Sequence, residues 1–156
     1  PGSAQYRWLD DELANHVDRH QTPWLLVMFH CPLHTTFLGH NGELNPFLML
    51  QSMEPLFVEY NVNFIISGHD HGYMRTAPMV GTQKASGDAA APIYLTLGAG
   101  GNREGHARGY VHPDEQEDWV VMRDHQEYGY GHLFMANQTH AKLDWVRDGT
   151  TEDGIQ

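Results

Sequence analysis

Apolar positions recur at helical spacing near the start of the chain, with Tyr6, Leu9, Leu13 and Val17 on one face and Asp10, Asp11 and Glu12 on the other. Ser3 stands where a cap would open this helix at Ala4, and Thr22-Pro23 where it would stop. Trp24-Leu25-Leu26-Val27-Met28-Phe29 follows as a short unbroken apolar run, the pattern of a strand buried on both faces. A long polar loop from His30 to Asn45 precedes a second helical stretch carrying Phe47, Leu50, Met53, Leu56, Phe57 and Tyr60. Asn45 is its expected cap and Pro46 its first residue, while Pro55 inside it implies a kink or two short helices. Val62-Asn63-Phe64-Ile65-Ile66-Ser67 reads as another buried strand. Strand, loop, helix and strand in this order make a βαβ unit, with parallel strands joined by a right-handed crossover.

Beyond His71 the pattern changes. Tyr73 to Val80 alternates loosely, Gly81 to Ala91 is a linker of small residues, and Ile93 to Leu97 is a strand ending on Gly98-Ala99-Gly100-Gly101. Asn102 to Asp118 is irregular and polar. Trp119 to Met122, Gly131 to Ala136 and Ala141 to Val146 read as strands separated by turns, expected to be antiparallel. The fold class is therefore α/β, a βαβ unit followed by mostly antiparallel strands. Residues 1–148 form one domain part and 149–156 a polar tail.

Composition narrows the partners. At 156 residues with 40% hydrophobic content, the chain fills one domain or a piece of a larger one. With 9 basic against 20 acidic residues, a formal charge of −11 repels a nucleic-acid backbone. A small anionic substrate remains compatible where bound cations reverse the local field. No apolar run is long enough to cross a bilayer, and Pro1-Gly2-Ser3 has neither the basic start nor the apolar stretch of a signal peptide. Cys31 is the single cysteine, so no disulfide forms within this sequence. The compositional anomaly is histidine, with 12 copies.

Position decides what those histidines can do. Sites in parallel α/β sheets form at the C-terminal ends of strands, and two expected strands end on histidine: Phe29-His30 and Ser67-Gly68-His69-Asp70-His71. An isolated His-x-His pair would read as loop residues bonded to nearby backbone. His30 at the end of the adjacent strand changes that reading, because three imidazoles then converge on one sheet edge, where they suit zinc or iron. Gly68 lets the backbone turn there without a side chain in the way. Three imidazoles do not complete two metal sites, so further ligands are expected from elsewhere.

Val27-Met28-Phe29-His30 and Gly68-His69-Asp70-His71-Gly72-Tyr73 resemble the last two metal-binding motifs of the calcineurin-like metallophosphoesterases. His30-Cys31-Pro32-Leu33, the glycine-rich Gly98 to Gly105, Tyr130-Gly131-His132 and Asn137-Gln138-Thr139-His140-Ala141 narrow the resemblance to the purple acid phosphatases, from about Ser3 to Trp145. The resemblance implies half of a two-sheet sandwich flanked by helices. It implies His30 and His69 as ligands of a divalent metal (zinc, manganese or ferrous iron) and His71 as a ligand of ferric iron. Counting from His30, His40 falls on a family histidine that contacts substrate phosphate, with Glu43 where a carboxylate orients it. Gly39 occupies a neighbouring position that is histidine in many plant members, so part of that pair is absent unless His34 substitutes.

The family's earlier motifs, which supply aspartates, a tyrosine, an asparagine and another histidine, are not in this sequence. Only Gly87-Asp88-Ala89-Ala90 comes near the aspartate motifs, and its setting in the small-residue linker argues against it. The expected partners are therefore an upstream half of the same polypeptide and a small phosphate ester. The activity implied is hydrolysis of phosphate monoesters at an iron-containing dimetal centre. The alternatives are a phosphodiesterase or nucleotide phosphatase, or a non-catalytic module that keeps the fold for binding. The Asn137-Gln138-Thr139 sequon makes Asn137 a candidate glycosylation site. The resemblance also implies a secreted or lysosome- or vacuole-like location.

Overall fold

The computed structural model describes residues 2–87 and 90–148. The tail at 149–156, and Asp88 and Ala89 of the near-match above, lie outside the described residues. Helix α1 (Ala4–Asp11) opens as expected, with Ser3 Oγ accepting from the Tyr6 amide at 3.1 Å. It then widens into a π-helical turn at Glu12–His16, and Val17 is already extended. The wider turn moves the face by one residue, so Leu13 is buried while Val17 leaves the helix before Thr22-Pro23.

Strand β1 (Leu26–Met28) pairs parallel with β2 (Phe64–Ser67), in register Leu26 to Phe64 and Met28 to Ile66. Helix α2 (Leu44–Glu59) connects them as one helix that runs through Pro55. It begins at Leu44 rather than after Asn45, with Glu43 in the cap position and no side-chain cap bond. The Glu43 carboxylate is engaged elsewhere, as described below.

Beyond α2 come β3 (Tyr73–Val80), β4 (Gln83–Lys84), β5 (Ile93–Leu97) and β6 (Val120–Asp124). The main sheet runs β1-β2-β5-β3, with β4 and β6 both on the far side of β3. The β1, β2 and β5 strands are parallel, whereas β3 is antiparallel to β5, β4 and β6. β4 is a short return from β3 inside what composition suggests is a linker. The last two strands, β7 (Gly129–Met135) and β8 (Ala141–Arg147), form an antiparallel ribbon.

The two faces of the sheet differ. Ile65 and Tyr94 pack with Leu13, Leu50, Leu56 and Phe57 of the helical layer. On the opposite face the ribbon covers only part of the surface, where Trp145 stacks on Tyr73 at 4.6 Å between ring centroids. Farther along that face, at the β1 edge, Leu26 is 39% exposed and Met28 75% exposed. The expectation of two-sided burial fails for β1. An apolar run records that a face is meant to be covered, and within the described residues nothing covers this one.

Candidate metal centre

The parallel pairing of β1 and β2 places their C-terminal ends side by side, and the imidazoles meet there. Phe29 N donates to Ile66 O at 3.1 Å and Gly68 N to His30 O at 3.0 Å, which ties the two histidine-bearing turns together. His69 Nδ1 lies 3.1 Å from His30 Nε2. The His40 ring lies against that of His69, tilted by 41°, with ring centroids 3.8 Å apart. Glu43 spans both rings: its Oε1 is 2.7 Å from His40 Nδ1, and its Oε2 is 3.4 Å from His69 Nε2. The bond from His40 is the main reason the Glu43 carboxyl is held below its ordinary range.

His40, Glu43 and His69 offer donor atoms that all lie within 4.8 Å of one another. His69 Nε2 is buried and has no hydrogen-bond partner, because its approach to Glu43 lacks hydrogen-bonding geometry. A buried ring nitrogen without a partner is costly unless something binds it. Imidazole and carboxylate donors are the set that zinc and iron take. The residues present therefore fit a metal, although they do not by themselves complete two coordination shells.

His71 sits differently. Its Nδ1 donates to Gly105 O at 3.0 Å, which fixes the tautomer and leaves Nε2 as the nitrogen with a lone pair. It lines a cleft of about 400 Å³ together with Gly39, His40, Asp70, Glu104, His106, Ala107 and Arg108. Among the described residues it makes no hydrogen bond to the other imidazoles.

Between the two motif histidines, Asp70 is turned inward and almost fully buried, accepting from Thr35 Oγ1 at 2.5 Å. Burial pushes its carboxyl up, against the opposing pull of that bond. His69 adopts a left-handed backbone, φ 60°. Gly98, at the end of β5, closes the turn from above: a Cβ there would lie 1.9 Å from Asp70 O, so only glycine fits.

His34 does not take the place of the second loop histidine. It is buried, with Nε2 3.3 Å from Glu54 Oε1 and its ring against Tyr94, and it does not line the cleft. Glu54 also accepts from Tyr94 Oη and the Gly81 amide, each at 2.6 Å. Burial, and then the bond to Glu54, raise the Tyr94 hydroxyl far beyond its usual titration range. Asn137 is exposed in the β7–β8 turn, where its Oδ1 accepts from Thr139 N at 2.8 Å and His140 N at 2.9 Å.

Sequence reasoning missed Glu104, His106 and Arg108. The signal was available: β5 is parallel to β2 and adjacent to it, so the loop after β5 must join the same edge.

Both the sequence and the fold are similar to those of known proteins. A calcineurin-like phosphoesterase family model matches residues 1–73, and an iron/zinc purple acid phosphatase-like protein C model matches residues 91–154. The chain is 39% identical to purple acid phosphatase 18 of Arabidopsis thaliana over 96% of its own length and 32% of the relative's. It is 34% identical to the Fe(3+)-Zn(2+) purple acid phosphatase 12 of the same plant, over 94% of this chain and 32% of that protein. The solved structure of purple acid phosphatase PPD1 from yellow lupin (Lupinus luteus) seeds superposes with a TM-score of 0.70 at 25% identity, covering 95% of this chain and 27% of that one. The chain thus spans about a third of the length of the curated relatives it matches. With its two parallel strands ending on histidine and two matched models in sequence, the chain belongs to the purple acid phosphatase family of calcineurin-like phosphoesterases.

Proposed function

We propose that this chain supplies the His30, His69 and His71 side of a dimetal centre that hydrolyses phosphate monoesters. The observation that carries the reading is the imidazole cluster at the ends of β1 and β2, with His69 Nε2 buried and without a hydrogen bond. In this reading His30 and His69 hold a divalent metal (zinc, manganese or ferrous iron) and His71 holds ferric iron. The name of the Arabidopsis Fe(3+)-Zn(2+) relative supports that pairing of metals. Such a pair supplies a water acidified enough to attack phosphorus and a clamp on the phosphoryl oxygens.

The chain's own residues do the rest. The Gly105 carbonyl holds His71 in one tautomer with Nε2 available. Glu43 orients His40 through Nδ1, leaving Nε2 to meet a phosphoryl oxygen or the departing alkoxide.

Completion of the site requires the upstream half of the same polypeptide, which in this reading packs on the open apolar face at Leu26 and Met28. The family's habits support a secreted or vacuole-like location and a glycan on the exposed Asn137. Expression of residues 1–156 alone and joined to the upstream region tests the reading, with bound metal and turnover of phenyl phosphate and bis-phenyl phosphate measured for both. The joined protein should bind metal and favour the monoester. A metal-free, inactive joined protein, or a 156-residue chain fully active alone, would sink it.

A further inference from the structure

The cleft beside His71 has a second wall that the proposed chemistry leaves unused. The loop after β5 contributes Glu104, His106 and Arg108 to it, alongside residues already assigned, His40 and His71. This loop is fixed to the site on both sides. His71 Nδ1 donates to Gly105 O at 3.0 Å and Ala107 N donates back to His71 O at 3.0 Å. Farther along, Leu38 N donates to Gly109 O at 3.0 Å and Val111 N to Thr36 O at 2.8 Å, joining the loop to the segment that leads to His40. The residues on either side of Arg108 are therefore both anchored.

The side chain of Arg108 is free by contrast. It is exposed, lines the cleft, and makes no hydrogen bond or ion pair among the described residues. The neighbouring His106 is held by its ring, stacked on Tyr128 at 3.8 Å between centroids. Arg123 shows what an arginine does here when it has work in the fold: it bonds Thr36, Glu117, His112 O and Glu115 O and lies 3.9 Å over the Tyr110 ring. Arg108 has none of these. Its backbone is positioned, and its five donors are uncommitted at the mouth of a site proposed to bind phosphate.

We propose that Arg108, with His106 beside it, receives an oxyanion carried by the leaving group of the substrate, so that this site favours phosphate esters whose alcohol is itself anionic. The inference rests on the phosphatase reading above. A guanidinium pairs with a carboxylate through two parallel hydrogen bonds, and only a substrate with a second anionic group can use that pairing while its phosphoryl group lies between His40 and His71. Glu104 lines the same cleft and disfavours a second anion placed without the arginine, which makes the effect depend on Arg108 rather than on the average field.

The test uses the full-length protein and a matched pair of substrates, 3-carboxyphenyl phosphate and phenyl phosphate. Arg108→Ala should lower the ratio of their kcat/KM values about tenfold, chiefly through KM of the carboxylated ester. Arg108→Lys should recover part of that ratio, since the charge remains and the fork does not. Arg103→Ala removes an exposed cation of the same loop that does not line the cleft, and should leave the ratio within about twofold. Calorimetric binding of the unreactive 3-carboxyphenylphosphonate against phenylphosphonate should show the same loss in Arg108→Ala, without turnover. Equal loss for both members of the pair, or an equal effect from Arg103→Ala, overturns the inference. A full-length protein that turns over neither ester fails the phosphatase reading instead, and the phosphonate pair still reports on Arg108.

Discussion

Gly98→Ala perturbs the site without touching any proposed ligand. The added Cβ would lie 1.9 Å from Asp70 O and 2.9 Å from Asp70 C. The end of β5 and the histidine turn would have to part by about 1.5 Å before contact became ordinary. Overpacking of this kind costs about 1–3 kcal/mol. The bond from Gly98 N to Gly72 O, 3.1 Å long, would be strained or broken, at about 1 kcal/mol more. A loss of about 2–4 kcal/mol is expected, together with a shift of the segment bearing His69 and His71. Metal ligands tolerate displacements of only about 0.2 Å, so bound metal should fall with stability. Gly100→Ala is the control: nothing lies within 4 Å of a Cβ there, and its stability change should stay within about 0.5 kcal/mol. Urea unfolding midpoints and metal content by mass spectrometry, both on the full-length protein, make the comparison. Equal stability and equal metal content in the two variants would refute the close-approach argument.

Other substitutions separate the remaining roles. His69→Ala should lose metal and activity together, whereas His40→Ala should slow turnover while metal content stays near normal; equal metal loss in both would make His40 a ligand. Glu54→Leu leaves His34, the Tyr94 hydroxyl and the Gly81 amide without their partner, and should destabilise by about 3–5 kcal/mol in chemical denaturation. Tyr94→Phe removes one of those bonds and should cost about 1.5–3 kcal/mol, so a Tyr94→Phe loss equal to that of Glu54→Leu would show that the network is not shared as described. Asn137→Gln in protein recovered from a secretory host should lower the mass by one glycan, and an unchanged mass would show Asn137 unmodified.

The fold was legible where a pattern depends on a few neighbouring residues. The Ser3 cap and the limits of β5, at Ile93 and Leu97, follow from capping chemistry and from a bounded apolar run. Two kinds of feature were not legible. The π-helical turn after Asp11 alters the helical period, and no residue type announces it. The exposure of β1 depends on what covers the sheet, and an apolar run reads the same whether its cover is present or not. The start of α2 failed for a further reason. Glu43 sits at the cap position, but its carboxylate serves His40 and His69, so a capping rule passes over it.

The site divides along the same line. His30 and His69 could be placed together from the strand-end rule alone, because β1 and β2 are neighbours and parallel. His40 could not, since it lies ten positions into a loop that has many paths, and only the family resemblance fixes the count. Asp70 escaped notice because the spacing of a His-x-His motif draws attention to its outer members. Its burial, its bond to Thr35 and the close approach of Gly98 lock the middle of the turn into the protein. That anchoring fixes the backbone that carries His69 beside His30 and His71 at the wall of the cleft. In the proposed reading the motif works through three residues: two that present nitrogen and one that holds the backbone while they do so.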